Sequence, residues 1–186
     1  SGSYTSSMRW MYGAGSTQWN DGASSPIQDI AISAAGLIHK AIIKKPNTLL
    51  VGRTVDQYLR VHPDLLARVE GGATNSNPAI VTDSLIAQLF NVDRYIVVEN
   101  QINSSGEGLT DSMGYLWSAK DALLAYIDPS PSKYSPTLGF RAVYKPYETK
   151  RWYINKKNAD QIETHYEQGE FKSPASAAVF MGNVVA

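Results

Sequence analysis

Residues 25–69 constrain the fold of this chain more than any other stretch. Apolar residues recur at Ile27, Ile30, Ala31, Ala34, Leu37, Ile38, Ala41 and Ile42, the 3.6-residue period of a helix with one buried stripe. Ser25 is a favourable N-cap, Pro26 suits the first helical position, and Gln28 completes an S-x-x-Q capping box. Lys44 and Lys45 complement the negative end of the helix dipole, and Pro46 stops the helix. The pattern predicts one continuous helix over 26–44, a rod of roughly 28 Å at ~1.5 Å per residue, with Ile30, Leu37 and Ile38 buried. Thr48-Leu49-Leu50-Val51 follows as a short apolar strand ended by Gly52. Thr54 with Gln57 forms a second capping box, and Val55, Tyr58 and Leu59 give the next helix an apolar face. His62-Pro63 interrupts that helix, and 64–69 resumes as a helical turn closed by Gly71-Gly72.

A chain of 186 residues is long enough for one large domain or two intimate subdomains. With no cysteine, disulfides and thiolate metal sites are excluded. No apolar run approaches the ~20 residues of a membrane-spanning helix, and no membrane partner is expected. Seventeen basic and seventeen acidic residues balance, which argues against a dedicated nucleic-acid binder with its usual basic excess.

The rest of the chain changes character along its length. Residues 1–24 are rich in Ser, Gly, Thr and aromatics, and Met8, Trp10, Tyr12 and Trp19 suggest extended chain. Residues 71–79 form a polar loop, and Thr82 caps a helix carrying Leu85, Ile86, Leu89 and Phe90. A β-rich run covers 94–98, a loop covers 103–108, and 115–117 and 122–127 read as two strands around a turn at 119–121. The Pro- and Ser-rich segment 128–136 is a connector. Beyond it the pattern is β: 138–145, then 151–155 paired through a turn at 147–150, then alternation at Ile162, Thr164 and Tyr166, with a short helix over 159–168 as the rival reading. Residues 177–185 form a final apolar segment. Early helices and late strands predict an α+β fold, a long helix packed on an antiparallel sheet drawn from distant parts of the chain.

Catalytic signatures are missing from the sequence. His39, His62 and His165 lie far apart, without H-x-x-x-H or H-x-H spacing. There is no G-x-S-x-G, dinucleotide or Walker pattern. Glu99, Asp121 and Asp128 have no local spacing that would pair them. No cofactor and no metal are expected. One pattern exceeds background. Residues 133–157 carry seven basic side chains against the single acid Glu148, whereas 160–170 carry four acids and no Lys or Arg. Lys150, Arg151, Lys156, Lys157, Asp160, Glu163 and Glu167 are the candidates within these blocks. Three readings stand: solvated surface, charge complementarity between neighbouring copies in a head-to-tail interface, and a basic surface facing phosphates.

The order Trp19, Pro26-x-x-Asp29-Ile30, Pro46-Asn47-Thr48-Leu49, Gly52 and His62-Pro63-x-x-Leu66 resembles the tailed-bacteriophage major capsid proteins of the Hong Kong 97-like fold. Similarity extends through "FNVDRYIVVENQINSSGEG" and "LWSAKDALLAYI". In that family a tryptophan precedes a P-x-x-D-I helix start, a long spine helix leads to P-N-T-L-x-x-G, and a short helix ends in H-P-x-x-L. The resemblance implies that these residues correspond to a core portion of the family's subunit, without most of an N-terminal arm and an extended loop. The resemblance implies an extended segment at 1–24, a peripheral domain at 25–45 and 129–186, and an inserted axial domain at 46–128.

It also implies a structural coat protein, not an enzyme, that self-assembles into an icosahedral shell around phage DNA. Its partners would be copies of itself in pentamers and hexamers, with scaffold, portal and decoration proteins and non-specific packaged DNA. Its place would be the virion, assembled in the host cytoplasm. An encapsulin-like compartment shell is the rival within the fold. A small α+β hydrolase or transferase and a nucleic-acid-binding module are the rivals from other classes. The loop at 71–79 has no charged residue, so Gly71, Gly72, Asn75, Asn77 and Pro78 are the candidates for a tip near the axis of a subunit ring.

Overall fold

The structure is a computed structural model that describes residues 8–12, 17–70, 81–132, 134–172 and 175–186. The chain divides into two compact units. One comprises Ser1–Leu138 with Pro174–Ala186, and the other Gly139–Ser173.

The first unit is built on a five-stranded sheet. Its strands are β1 (Arg9–Met11), β2 (Thr48–Gly52), β3 (Arg94–Val98), β6 (Ala122–Ala125) and β9 (Ala178–Gly182), in the order β1-β9-β6-β2-β3. The pairs β2/β6 and β6/β9 are antiparallel, whereas β1/β9 and β2/β3 are parallel. The sheet is therefore mixed, not antiparallel as expected. The chain from β2 to β3 passes through helices α2 (Arg53–Val61), α3 (Pro63–Glu70) and α4 (Asp83–Leu89), which permits the parallel return.

Strand alternation sorts side chains onto two faces. Leu49, Leu124 and Val179 sit in register, as do Val51, Ala122 and Met181, and all six are buried in the main core with Ile30, Ala34, Ile38, Val55, Leu59 and Ile86. The opposite face carries Leu50, Leu123, Ala125, Ala178 and Phe180, packed with Trp117 and Leu138. Complete burial of Leu49, Val51 and Leu124 contributes roughly 1.5–3 kcal/mol per side chain.

The expected helix over 26–44 is helical from Pro26 but is not one uniform α-helix. Residues Gln28–Ala34 are wound as a π-helix, and α1 covers only Ala35–Ile42. Ile43 ends it with φ of 54°, and its N–H donates to the His39 carbonyl at 2.8 Å. A β-branched residue in the left-handed region is strained, and its side chain projects outward, 78% exposed. Ile30 and Ile38 are buried as expected, but Leu37 is only half-buried. The wider winding advances the apolar stripe, so not every residue of a 3.6-residue pattern faces the core.

Neither expected capping box forms. The Ser25 hydroxyl donates to the Asp64 carboxylate at 3.0 Å, not to a helix amide. Helix α2 starts two residues earlier than a Thr54 N-cap implies, with Gly52 at its N-cap. A Cβ at Gly52 would stand 2.4 Å from the Ala119 carbonyl oxygen, so that close approach requires glycine.

Three further expectations change. Strand β5 (Met113–Tyr115) pairs not with 122–127 but with β4 (Gln101–Asn103), forming a separate hairpin. The turn expected at 147–150 is absent, because β7 runs unbroken over Gly139–Ile154. The reversal falls at 155–158, where Asn158 has φ of 47°. Strand β8 (Ala159–Lys172) then displaces the rival helix. The hairpin β7–β8 is the whole of the second unit. Pro146, which lacks an N–H, lies where the register shifts between Val143 and Glu148.

Candidate assembly surfaces

The residues that carried the resemblance have definable structural tasks. Trp19 is fully buried, and its indole N–H donates to Asp29 Oδ2 at 2.9 Å. The Tyr12 hydroxyl donates to the same oxygen at 2.8 Å, and the two rings meet edge-to-face at 6.1 Å. Burial, and then the Asp29 carboxylate, push the Tyr12 phenol well above its ordinary range. Asn47 clips two distant segments together. Its amide donates to the Ile127 carbonyl at 2.7 Å and accepts from the Ile127 N–H at 2.9 Å, while its own carbonyl accepts from Asp93 and Arg94 at the start of β3.

His62 does more than interrupt a helix. It is buried, and its Nδ1 accepts the Asp64 N–H at 3.2 Å, which caps α3. That leaves Nε2 as the protonated nitrogen, facing the Ser24 hydroxyl at 3.0 Å and the Asp21 carbonyl at 3.2 Å. A second polar cluster ties α2 to β3 and α4. Arg60 pairs with Asp56 at 2.9 Å and with Asp83, and donates to the Val81 carbonyl, while the Tyr95 hydroxyl donates to Asp56 at 2.8 Å. Burial, and then the Asp56 charge, raise the Tyr95 phenol far above its usual range. These groups hold elements in place.

Arg141, Lys145, Lys150 and Arg151 of the basic block lie on β7, and all four acids of the acidic block lie on β8. Arg151 pairs with Asp160, and Lys145 lies 3.9 Å from Glu167. Lys150 sits opposite Glu163 in register but pairs along its own strand with Glu148 at 3.7 Å, while Glu163 contacts His165. Part of the complementarity is therefore satisfied within the hairpin. Lys156 and Lys157 lie in the exposed turn and, among the described residues, make no ion pair. Stacked rings reinforce the ribbon at Phe140–Phe171 (5.2 Å) and Tyr147–Tyr166 (4.2 Å). Gly71, Gly72, Asn75, Asn77 and Pro78 lie outside the described residues.

Two surface features escape a sequence reading. The first is an open groove of about 380 Å³ beside α1. Ala31, Ala35 and Gly36 line it from the helix, and Pro46 and Phe90 from the strand entries. Lys45 crosses its rim, donating to Asn91 Oδ1 at 2.6 Å. The second is the β4–β5 loop, which the sequence marks only as polar chain around 103–108. Asn103 Oδ1 accepts from the Ser105 N–H, the Ser105 hydroxyl and the Ser112 N–H, and its amide donates to Asp111. This ordered scaffold presents Leu109 with 71% of its surface exposed. A conformation-setting Asn at a hairpin end was the available sequence signal.

Among the described residues, no group of three or more His, Cys, Asp or Glu side chains is placed to hold a metal ion. No helix there is long and apolar enough to cross a membrane.

No protein-family model matches the chain. It is 26% identical over 144 residues to the major capsid protein of Burkholderia phage BcepMu, an alignment covering 77% of this chain and 41% of that protein. It is 26% identical over 104 residues to the major capsid protein of Pseudomonas phage JBD67, covering 56% of this chain and 31% of that one. The chain thus spans less than half the length of these curated relatives. A crystal structure of a phage-related protein from Bordetella bronchiseptica RB50 superposes with a TM-score of 0.73 at 20% identity, covering 98% of this chain and 57% of the other. The crystal structure of the putative capsid protein of a prophage from E. coli CFT073 does so with a TM-score of 0.52 at 14% identity, covering 96% and 53%. In sequence the chain is similar to phage major capsid proteins, and its mixed α and β fold is shared with these two phage structures.

Proposed function

We propose that this chain is a structural subunit of a phage head, a major capsid protein that self-assembles into an icosahedral shell enclosing phage DNA. The observation that carries the reading is the similarity to the BcepMu major capsid protein across 77% of the chain. The shared fold with a prophage capsid protein supports it. The finer assignment is a Hong Kong 97-like subunit in which the helical rod from Pro26 to Ile42 acts as the spine. In it, 25–45 and 129–186 form the peripheral domain, 46–128 the axial domain, and 71–79 the tip near the ring axis.

The work of such a protein is association, not catalysis. Each copy must present surfaces that differ from one another, so that rings close and then join. The ring partners are copies of the chain in pentamers and hexamers. Scaffold, portal and decoration proteins and packaged DNA meet the assembled shell, which is built in the host cytoplasm and ends in the virion. Lys156 and Lys157 at the β7–β8 turn, which make no ion pair among the described residues, are suited to a contact with an acidic neighbour.

Electron microscopy of the purified full-length product tests the reading. Closed shells are expected, and a monodisperse small species under all assembly conditions would refute it. Lys156→Glu with Lys157→Glu is expected to impair shell formation while leaving the monomer's melting temperature unchanged. Normal shells from that variant across low and moderate salt would remove the turn from the assembly surface.

A further inference from the structure

We infer that Leu109 of one copy seats in the groove beside α1 of a second copy, a knob-in-groove contact that joins subunits head to tail. The inference rests on the shell-building reading above, since it requires a second copy of this chain. Three observations carry it.

The first is position. The groove lies at the entry of β2 and β3, where Pro46 and Asn91 precede Thr48 and Arg94. The β4–β5 hairpin leaves from the far end of the same two parallel strands, after Val98. Five residues of strand separate these ends by about 17 Å. The groove and the root of the hairpin thus lie at opposite ends of one pair of strands, so knob and groove are different surfaces, as a heterologous contact requires, and a groove at one end is left for the next copy's knob.

The second is chemistry. Residues 95–119 include Glu99, Glu107 and Asp111 and no Lys, Arg or His. Glu99 is already paired with Arg53, which leaves Glu107 and Asp111 flanking Leu109. His39 and Lys45 line the groove beside its apolar floor, and Lys40 and Lys44 are their exposed neighbours in the chain. Asp93 and Arg94 at the neighbouring corner have opposite charges and leave that balance unchanged. An apolar knob with an acidic rim meets an apolar groove with a basic rim.

The third is preorganisation. The Asn103 bonds fix the loop before any partner arrives, and the Leu109 N–H donates to the Gly106 carbonyl at 3.2 Å. Gly108 holds φ of 83°, a conformation that favours glycine. An exposed leucine on a fixed loop loses little conformational freedom on docking.

The native chain contains no cysteine, so engineered thiols report the contact without background. Leu109→Cys in one sample is mixed with Gly36→Cys in another and bridged with a short bis-maleimide. A Cβ at Gly36 meets nothing within 4 Å, so the second variant retains the fold. The expected result is a mixed dimer from the two variants together, neither variant dimerising alone, and a ladder of multimers when both cysteines are on one chain. Lys44→Glu with Lys45→Glu should abolish the cross-link, and adding Glu107→Lys with Asp111→Lys to the Leu109→Cys chain should restore it. Shells in the micrographs without any mixed cross-link would overturn the contact and leave the capsid reading standing. A ladder without shells would support the contact and overturn the capsid reading. Absence of both would overturn both.

Discussion

The five-stranded sheet and the β7–β8 hairpin are both β-structure, yet they are specified in different ways. The sheet buries both faces: Leu49, Leu124 and Val179 under the helices, and Leu123, Ala125 and Ala178 on the other side. The hairpin buries none of its described side chains and carries Tyr144, Tyr147 and Ile162 in the open. Apolar alternation sets the register of the sheet, because a one-residue slip would turn each core residue to the wrong face. In the hairpin the register follows ion pairs, stacked rings and the interruption at Pro146. An isolated two-stranded ribbon is only marginally stable in water. Buried apolar side chains therefore hold the sheet together, whereas the ribbon's side chains are left largely open.

That contrast can be broken by substitution. The largest effect is expected in the sheet's core. Ile38→Ala should cost about 2–5 kcal/mol, since Ile38 is fully buried. Leu37→Ala, at a half-buried position, should cost less than half of what Ile38→Ala does. Urea melts of the two variants check this, and equal losses would contradict the assigned helix face. Gly52→Ala comes next, at about 1–3 kcal/mol for the overpacking it forces against the Ala119 carbonyl. A melting temperature identical to the parent's would show that this approach is looser than described. Smallest is Arg151→Ala in the hairpin. Its pair with Asp160 is exposed, so the loss should fall within about 0.2–1 kcal/mol and shrink as salt is added. A loss as large as that of Ile38→Ala would erase the distinction between the two regions.

How much could be read in advance follows the same division. The apolar period from Ile27 to Ile42 and the run Thr48 to Val51 located a helix and an inner strand, because burial leaves a periodic trace. The capping residues misled, since Ser25 is drawn off by Asp64, a partner 39 residues away that no local pattern reveals. The π-winding of Gln28–Ala34 leaves no compositional mark. Tyr147 to Lys150 resembles a turn because Pro146 precedes it, yet the chain there runs through a bulge in a long strand. Charge blocks were visible at once, but their pairing across one hairpin depended on finding the true turn at Asn158. The groove combines residues from two separate segments, 31–46 and 90–91, and its apolar lining has no linear signature.

The order of strands has a consequence for how the chain folds. Strand β9 lies inside the sheet, between β1 and β6, although the entire β7–β8 ribbon precedes it in the chain. Until the ribosome has delivered that ribbon and β9 behind it, β6 keeps one edge open, and β1 has no partner. Pairing of such sequence-distant strands is slow. The five-stranded sheet therefore closes only after the ribbon has been synthesised, which leaves an interval when nascent chains carry an unprotected edge. Association through that open edge during the interval would pair the wrong strands, so the addition of β9 is the step that protects the sheet.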